Sequence, residues 1–390
     1  MTINFLPEAQ ALQEELVTLR RDLHAHPELG FQERRTARLV AEHLRAAGLE
    51  VREGLADTGV LGRLNGAQPG RTILLRFDMD ALPVTEETGA PYASQNPGVM
   101  HACAHDGHVA IGLTLAKLLA RHSGELHGSV VFAFQPAEEG QGGAERMIAD
   151  GALQPKPDLA LVLHLWNPLP LGQAAISPGP VMAAADLVRI GVRGKGGHGA
   201  FPHQTVDPIV AAAQIVTALQ TVVSRNVDPL ATAVLTIGTI HGGTAFNVIA
   251  DEVELRGTVR TFAAAVREQV LQRLTAIAQG TAAALGATAE VAIKPISPAV
   301  VSDAAATRLV HAAAAAILGE ANVLDAYQTM GSEDAALFLQ AVPGCYFFLG
   351  SANHERGLDA PHHSARFDFD EAALPLGVAI LAEAVARYLA

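Results

Sequence analysis

From His101 to His108 the chain reads His-Ala-Cys-Ala-His-Asp-Gly-His, which puts three imidazoles, a thiol and a carboxylate in one short segment. A Cys-x-His pair at the head of a helix can present a thiolate and an imidazole to a single ion. The plain alternative is an inert buried Cys103 beside satisfied histidines, and the density of the cluster weighs against it. A second cluster, Phe134-Gln-Pro-Ala-Glu138-Glu139-Gly140, closes the apolar run 130–134. Adjacent residues in an extended turn point in different directions, so one carboxylate can face a metal while its neighbour faces a water. Glu pairs also occur at Glu14-Glu15 and Glu86-Glu87, so position is what makes this one informative. His164 ends the run 159–164, before a Pro-punctuated loop LWNPLP. Asp78 and Asp80 close the run 72–77, and His362-His363 precedes the last helical stretch. Either Asp78 or Asp80 could ligate metal or orient an imidazole that does.

The elements that must position these groups alternate. Leu12, Leu16, Leu19 and Leu23 predict a first amphipathic helix over 8–26, ended by Pro27, and a second over 33–47 stops at Gly48. Strands are predicted at 72–77, 130–134 and 159–165, and helices near 107–121 and 143–150. Continuous apolar strands separated by helices indicate a mostly parallel sheet. Ligands of such sheets sit beyond the strand ends. From 186 the style changes: strand 187–192, helix 207–224, strands 231–240 and 252–261, helix 264–285, strand 288–294. That β-α-β-β-α-β order is a ferredoxin-like α+β unit. Helices near 303–318 and 332–341, a strand at 345–350 and a helix at 370–389 resume the first style. The expected fold is therefore an α/β domain, 1–185 and 295–390, interrupted by an inserted α+β domain, 186–294.

Composition narrows the function. The 390 residues carry 27 Lys+Arg against 40 Asp+Glu, a net charge of −13, which argues against a nucleic-acid partner. With 49% hydrophobic and 17% charged residues the chain is not a disordered one. Two cysteines, Cys103 and Cys345, suit a reducing cytosol better than a disulfide framework. The N-terminus shows no signal-peptide pattern. Gly and Pro interrupt the uncharged stretches 165–185 and 229–250, so no membrane span is expected. The 16 histidines are many beside four Tyr and one Trp. Those outside the motifs, such as His43 and His122, are expected to face solvent.

Gly194-Lys-Gly196-Gly197-His198-Gly199 fits the letter of a dinucleotide fingerprint. Pro202 and Pro208 delay the helix that should start at the third glycine, and no acidic residue ends the following strand, so nicotinamide binding is not expected. There is no G-x-S-x-G elbow and no P-loop.

Taken together, Arg76–Pro83, MHACAHDGH, FQPAEEG, His164, GKGGHGAFPH, Asn247-Val-Ile and HHSARFDFDE resemble one family in order and spacing. This is the two-metal amidohydrolase and peptidase family of hippurate hydrolase, indoleacetyl-amino-acid hydrolases and N-acyl-amino-acid amidohydrolases. Aminoacylase and carboxypeptidase G are more distant members. The resemblance implies that Cys103, His105, Glu139, His164 and His363 ligate two divalent ions per subunit (Zn, Mn, Co or Ni), with Glu138 as general base. It implies that Asp80 orients the ligands. His198 and Asn247 would contact the substrate, usually in the partner subunit of a functional homodimer, and Arg260 would pair with the substrate carboxylate. Three positions depart from the pattern: Ala104 for a glycine, and Ala250 and Ala365 for prolines. Ala104 matters most if that backbone needs a positive φ.

The activity implied is metal-dependent hydrolysis of the amide of a small anionic N-acyl-amino acid by a cytoplasmic enzyme. A dipeptidase or carboxypeptidase with the same metal site is the alternative. A non-catalytic small-molecule binding protein is more remote.

Overall fold

The computed structural model describes residues 5–390. It divides into two compact units. One comprises the residues up to Val181, Val300–Gln328 and Asp334–Ala390; the other comprises Met182–Ala299 and Thr329–Glu333.

The first unit is built on an eight-stranded mixed sheet. In order across the sheet its strands are Glu50–Leu55, Gly59–Asn65, His127–Gln135, Gln68–Asp78, Leu159–Pro170, Gly344–Ala352, Ala174–Ala175 and Val323–Leu324. The four central strands run parallel. They are buried along nearly their whole apolar runs, which is why those runs were legible as strands. Helix Ala373–Leu389 packs against both His105–Arg121 and Ala304–Leu318, and all three lie against the sheet. Gly112 sets how closely the first of them approaches. A Cβ there would lie 2.8 Å from the Phe77 ring and 2.9 Å from that of Phe134, themselves stacked 5.4 Å apart.

Several elements differ from expectation. The first helical stretch is two helices, Phe5–Ala11 and Gln13–Ala25, because Leu12 leaves helical geometry (φ −99°, ψ 8°). It ends before His26, the residue preceding Pro27, where α geometry is disfavoured. The hairpin Glu50–Leu55/Gly59–Asn65 had no sequence signal, since its outer strand is mostly exposed and shows no apolar run. His164 does not end its strand. Pairing with Gly344–Ala352 continues through Leu165 and Trp166 and, after a bulge, to Pro170. The supposed loop LWNPLP is strand because a neighbour supplies its pairing. Helix 332–341 contracts to Ala336–Ala341 and the last helix to Ala373–Leu389.

The second unit contains a four-stranded antiparallel sheet in the order Ala233–Gly242, Glu252–Thr261, Ala184–Arg193, Thr288–Ser297, with helices Pro208–Thr221 and Ala264–Ala284. This is the strand order of the ferredoxin-like β-α-β-β-α-β arrangement. Its own core joins Val188, Ile190, Ile215, Leu219, Leu255 and Leu274. Among the described residues no helix is long and apolar enough to cross a membrane.

Candidate metal centre

The ends of the parallel strands converge on one cluster in the first unit. Ligand atoms of Cys103, His105 and His164 lie within 4.8 Å of one another; so do those of Cys103, Glu139 and His363, and those of His105, Glu138 and Glu139. The five residues expected to ligate metal and the expected base thus fall in three overlapping groups. Cys103, His105 and Glu139 are the shared members.

Local backbone explains how adjacent residues reach this point. Ala104, immediately before helix His105–Arg121, has φ +66° and ψ 15°. The position that resembles a glycine in the family therefore does require left-handed backbone, and alanine occupies it at a cost of roughly 1–2 kcal/mol. Ala137 (φ +52°) and His363 (φ +66°) share this conformation, so three of the six described non-glycine residues with positive φ adjoin the cluster. The Ala137 turn is braced by Glu33, whose carboxylate accepts the Ala137 N–H at 2.9 Å and the Thr58 hydroxyl at 2.7 Å. Asp80 accepts the Glu139 N–H at 3.0 Å. Asp80 also lies 3.2 Å from His105 Nδ1, so it contacts two of the candidate ligands.

Hydrogen bonding selects which ring nitrogen is free. His105 Nδ1 donates to the Asp80 carbonyl at 2.9 Å, and His105 Nε2 has no hydrogen-bond partner though fully buried. His164 Nδ1 donates to the Leu165 carbonyl at 2.7 Å, leaving Nε2 3.7 Å from Cys103 Sγ. Both imidazoles therefore turn an Nε2 lone pair inward, the tautomer a metal site needs. Glu139 Oε1 faces His363 Nε2 at 3.2 Å.

The electrostatics agree. Burial lowers the His105 pKa, but Asp78, Asp80 and Cys103 outweigh it and hold the group well above the usual imidazole range. Hydrogen bonding to Cys103 and Glu139 pushes His363 up to about 10. The carboxylates and the Cys103 sulfur favour positive charge at the cluster, which a proton or a divalent ion can supply. His164 is held well below its usual value by burial, then by His108 and His362. An orphaned His105 Nε2, a thiol and carboxylates in one buried cluster fit a divalent metal site.

Other histidines divide by environment. His108 donates from Nδ1 to Asp78 at 2.6 Å and accepts the Leu165 N–H at 2.9 Å, so both nitrogens are committed. Asp78 is held well below the carboxylate range because His105, His108 and Arg76 outweigh its burial. Buried His101 has no hydrogen-bond partner on either nitrogen, and burial pushes it down to about 4. His24, grouped by sequence with solvent-facing residues, is fully buried against Asp106, Glu86 and Arg20. Nothing in the spacing marks Arg20, His24 or Glu33 as buried, because the carboxylates that pair with the first two and the Ala137 N–H that Glu33 holds lie far along the chain.

In the second unit, bridging of Val248 to His198 brings His198 and Asn247 side by side, and both are exposed. His198 Nδ1 accepts the Ala200 N–H at 3.0 Å. His203 is also exposed. Arg260, on strand Glu252–Thr261, donates to the Ser332 hydroxyl; burial lowers its pKa and Asp186 opposes that.

Residues 74–387 match the family model described as peptidase family M20/M25/M40. The chain belongs to this family. Bacillus subtilis YhaA is 43% identical over 376 residues, 96% of this chain and 95% of that protein. The N-acetyl-L-cysteine deacetylase of the same organism is 40% identical over 97% of this chain and 89% of its own length. Thermostable carboxypeptidase 1 of Saccharolobus solfataricus is 40% identical over 95% and 94%. Among solved structures, the Bacillus subtilis YXEP protein, titled a dinuclear metal binding peptidase of the M20 family, matches with a TM-score of 0.85. It is 36% identical, with 97% of this chain and 99% of that one covered. M20 membership makes this an amide-hydrolysing enzyme, and the dinuclear relative together with the candidate clusters supports divalent metal.

Proposed function

We propose that this M20 family member hydrolyses the amide bond of N-acyl-amino acids, releasing a carboxylic acid and a free amino acid. The observation that carries the reading is Glu138: its carboxylate stands within 4.8 Å of the ligand atoms of His105 and Glu139, a base beside a buried metal-ligand cluster. Cys103, His105, Glu139, His164 and His363 would hold two divalent ions, which lower the pKa of water and polarise a carbonyl when bound. Thiolate and imidazole favour zinc, cobalt or nickel, and the carboxylate also suits manganese. A reducing compartment such as the cytosol keeps the Cys103 sulfur unoxidised and available as a ligand.

Glu138 takes a proton from the attacking water and returns it to the departing amine. Its neighbour Glu139, whose backbone N–H is held by Asp80 just after the left-handed Ala137, keeps its own carboxylate for metal. His198 and Asn247, exposed in the second unit, supply donors to the carbonyl oxygen as charge develops, and Arg260 offers a bidentate partner for the amino-acid carboxylate. The family resemblance supports the second unit as a dimerisation and lid domain that brings His198 to a partner subunit's substrate. Mixing His198→Ala with Glu138→Ala protein under subunit exchange then restores activity; no recovery counts against a shared site.

The second reading is a carboxypeptidase or dipeptidase. It is favoured by the 40% identity to a protein named for carboxypeptidase activity. A hydrolysis screen over acetyl-, benzoyl- and indoleacetyl-amino acids and dipeptides, with several metals, separates the two. Release from the acyl-amino acids should dominate, disappear on chelation and return with divalent ion. Dominant dipeptide cleavage selects the second reading, and activity indifferent to verified metal removal overturns both.

A further inference from the structure

Two imidazole nitrogens stand at the same distance from Cys103 Sγ: His164 Nε2 at 3.7 Å and His362 Nδ1 at 3.7 Å. Distance does not separate their roles; the opposite nitrogen of each ring does. His164 donates from Nδ1 to the Leu165 carbonyl, so its Nε2 brings a lone pair toward the sulfur. His362 has the reverse arrangement, because its Nε2 lies 3.2 Å from the Asn167 N–H and must accept from it. The His362 proton is therefore on Nδ1, the atom facing the sulfur.

This tautomer is firmly imposed. The Asn167 side-chain amide donates to the Ala360 carbonyl at 2.9 Å and the Asp368 carbonyl at 2.8 Å, on both sides of His362, and accepts the Ser351 hydroxyl at 2.8 Å. The ring of His362 is itself clamped, stacked on Trp166 with centroids 4.6 Å apart and lying 4.8 Å from that of Phe367. Neither the N–H that feeds Nε2 nor the ring that receives it can turn away without breaking these contacts.

We infer that His362 is an N–H donor to the Cys103 thiolate, tuning how strongly that sulfur donates to metal, while its neighbour His363 meets the metal directly. The inference rests on the reading of Cys103 as a thiolate ligand. A hydrogen bond to a ligating sulfur draws electron density from its lone pairs, lowering their energy and leaving the bound ion more electron-poor. Adjacent histidines thus differ in kind. His363 turns outward through its positive φ toward Glu139, and His362 stays in the aromatic stack and holds the thiolate.

The test is the near-ultraviolet thiolate-to-cobalt charge-transfer band of the cobalt(II)-loaded enzyme. His362→Phe keeps a ring in the stack and removes the donor. Its band should move to longer wavelength, because the unbonded thiolate lone pairs rise in energy. His362→Asn places an amide N–H near the position of Nδ1 and should bring the band back toward that of the wild type. A band unmoved in His362→Phe, or displaced equally in both variants, overturns the inference. Absence of any thiolate band in wild-type enzyme overturns the assignment of Cys103 as ligand, a separately recognisable failure. Nitrogen-15 NMR of histidine-labelled, zinc-loaded wild-type protein needs no variant. It should show His362 protonated on Nδ1, and an Nε2–H tautomer overturns the inference.

Discussion

Arg20 Nε donates to Asp106 Oδ2 at 2.8 Å, and both side chains are completely buried. The pair links the helix Gln13–Ala25 to the first turn of the helix that begins at His105. Arg20 also bonds Asp368 at 2.7 Å, beyond the His362-His363 pair, so one guanidinium braces two segments that carry candidate ligands. Replacing it strands buried carboxylates. Arg20→Leu should destabilise the protein by about 3–5 kcal/mol, measured by urea unfolding. A loss below about 1 kcal/mol would show that the carboxylates find water or other partners.

Removing the proposed base should separate chemistry from metal binding. Glu138→Gln should lower kcat roughly 100- to 10,000-fold. Bound metal, assayed by elemental analysis, should stay near the wild-type content. Near-normal turnover would exclude Glu138 as the proton carrier.

Removing a proposed ligand should do the opposite. His164→Ala takes away an Nε2 lone pair whose tautomer is set by the Leu165 carbonyl. Metal retained after dialysis should fall, and activity with it, with partial recovery at high divalent-ion concentration. Unchanged metal content would remove His164 from the ligand set.

Glu33 offers a prediction in pH. Burial pushes its carboxyl up to about 7 from 4.5, although Thr58 and the Ala137 N–H pull it back. Below pH 4.5 the group is protonated in both folded and unfolded chains and contributes no pH dependence. Between 4.5 and 7 the folded state binds the extra proton, so stability falls as pH rises and stays lower above 7. The cost at high pH is at most about 3 kcal/mol. Glu33→Gln can keep a hydrogen bond to Ala137 and removes the charge. It should therefore gain stability over wild type above pH 7 and lose that advantage near pH 4.5. Thermal melts across pH check this, and a constant difference would locate the effect outside Glu33 ionisation.

Much of the site was readable because metal chemistry and strand ends both leave local marks. Cys103 and His105 are two residues apart, Glu138 and Glu139 are adjacent, and each group follows or precedes a strongly apolar run. The hairpin at Glu50–Asn65 left no such mark because its outer strand faces solvent. His164 was recognised as a candidate, yet the strand continued past it because Gly344–Ala352 pairs with it from far along the chain.

The chain's residue order alone determined the types of donor available, their sequence along the chain and the alternation of strand and helix that carries them to one edge of a sheet. Those are local properties: side-chain chemistry, short spacing and hydrophobic period. Tertiary structure decided which atom of each histidine is free. His105 and His164 expose Nε2 because distant or neighbouring carbonyls take Nδ1, while His362 turns its proton to Cys103 because the Asn167 N–H occupies its other nitrogen. It also decided that His24 is buried beside Asp106 and that Glu33 supports the Ala137 turn. A tautomer or a buried charge is set by whatever partner the fold brings within about 3 Å, and partners 82 or 104 residues away leave no periodicity in the sequence to reveal them.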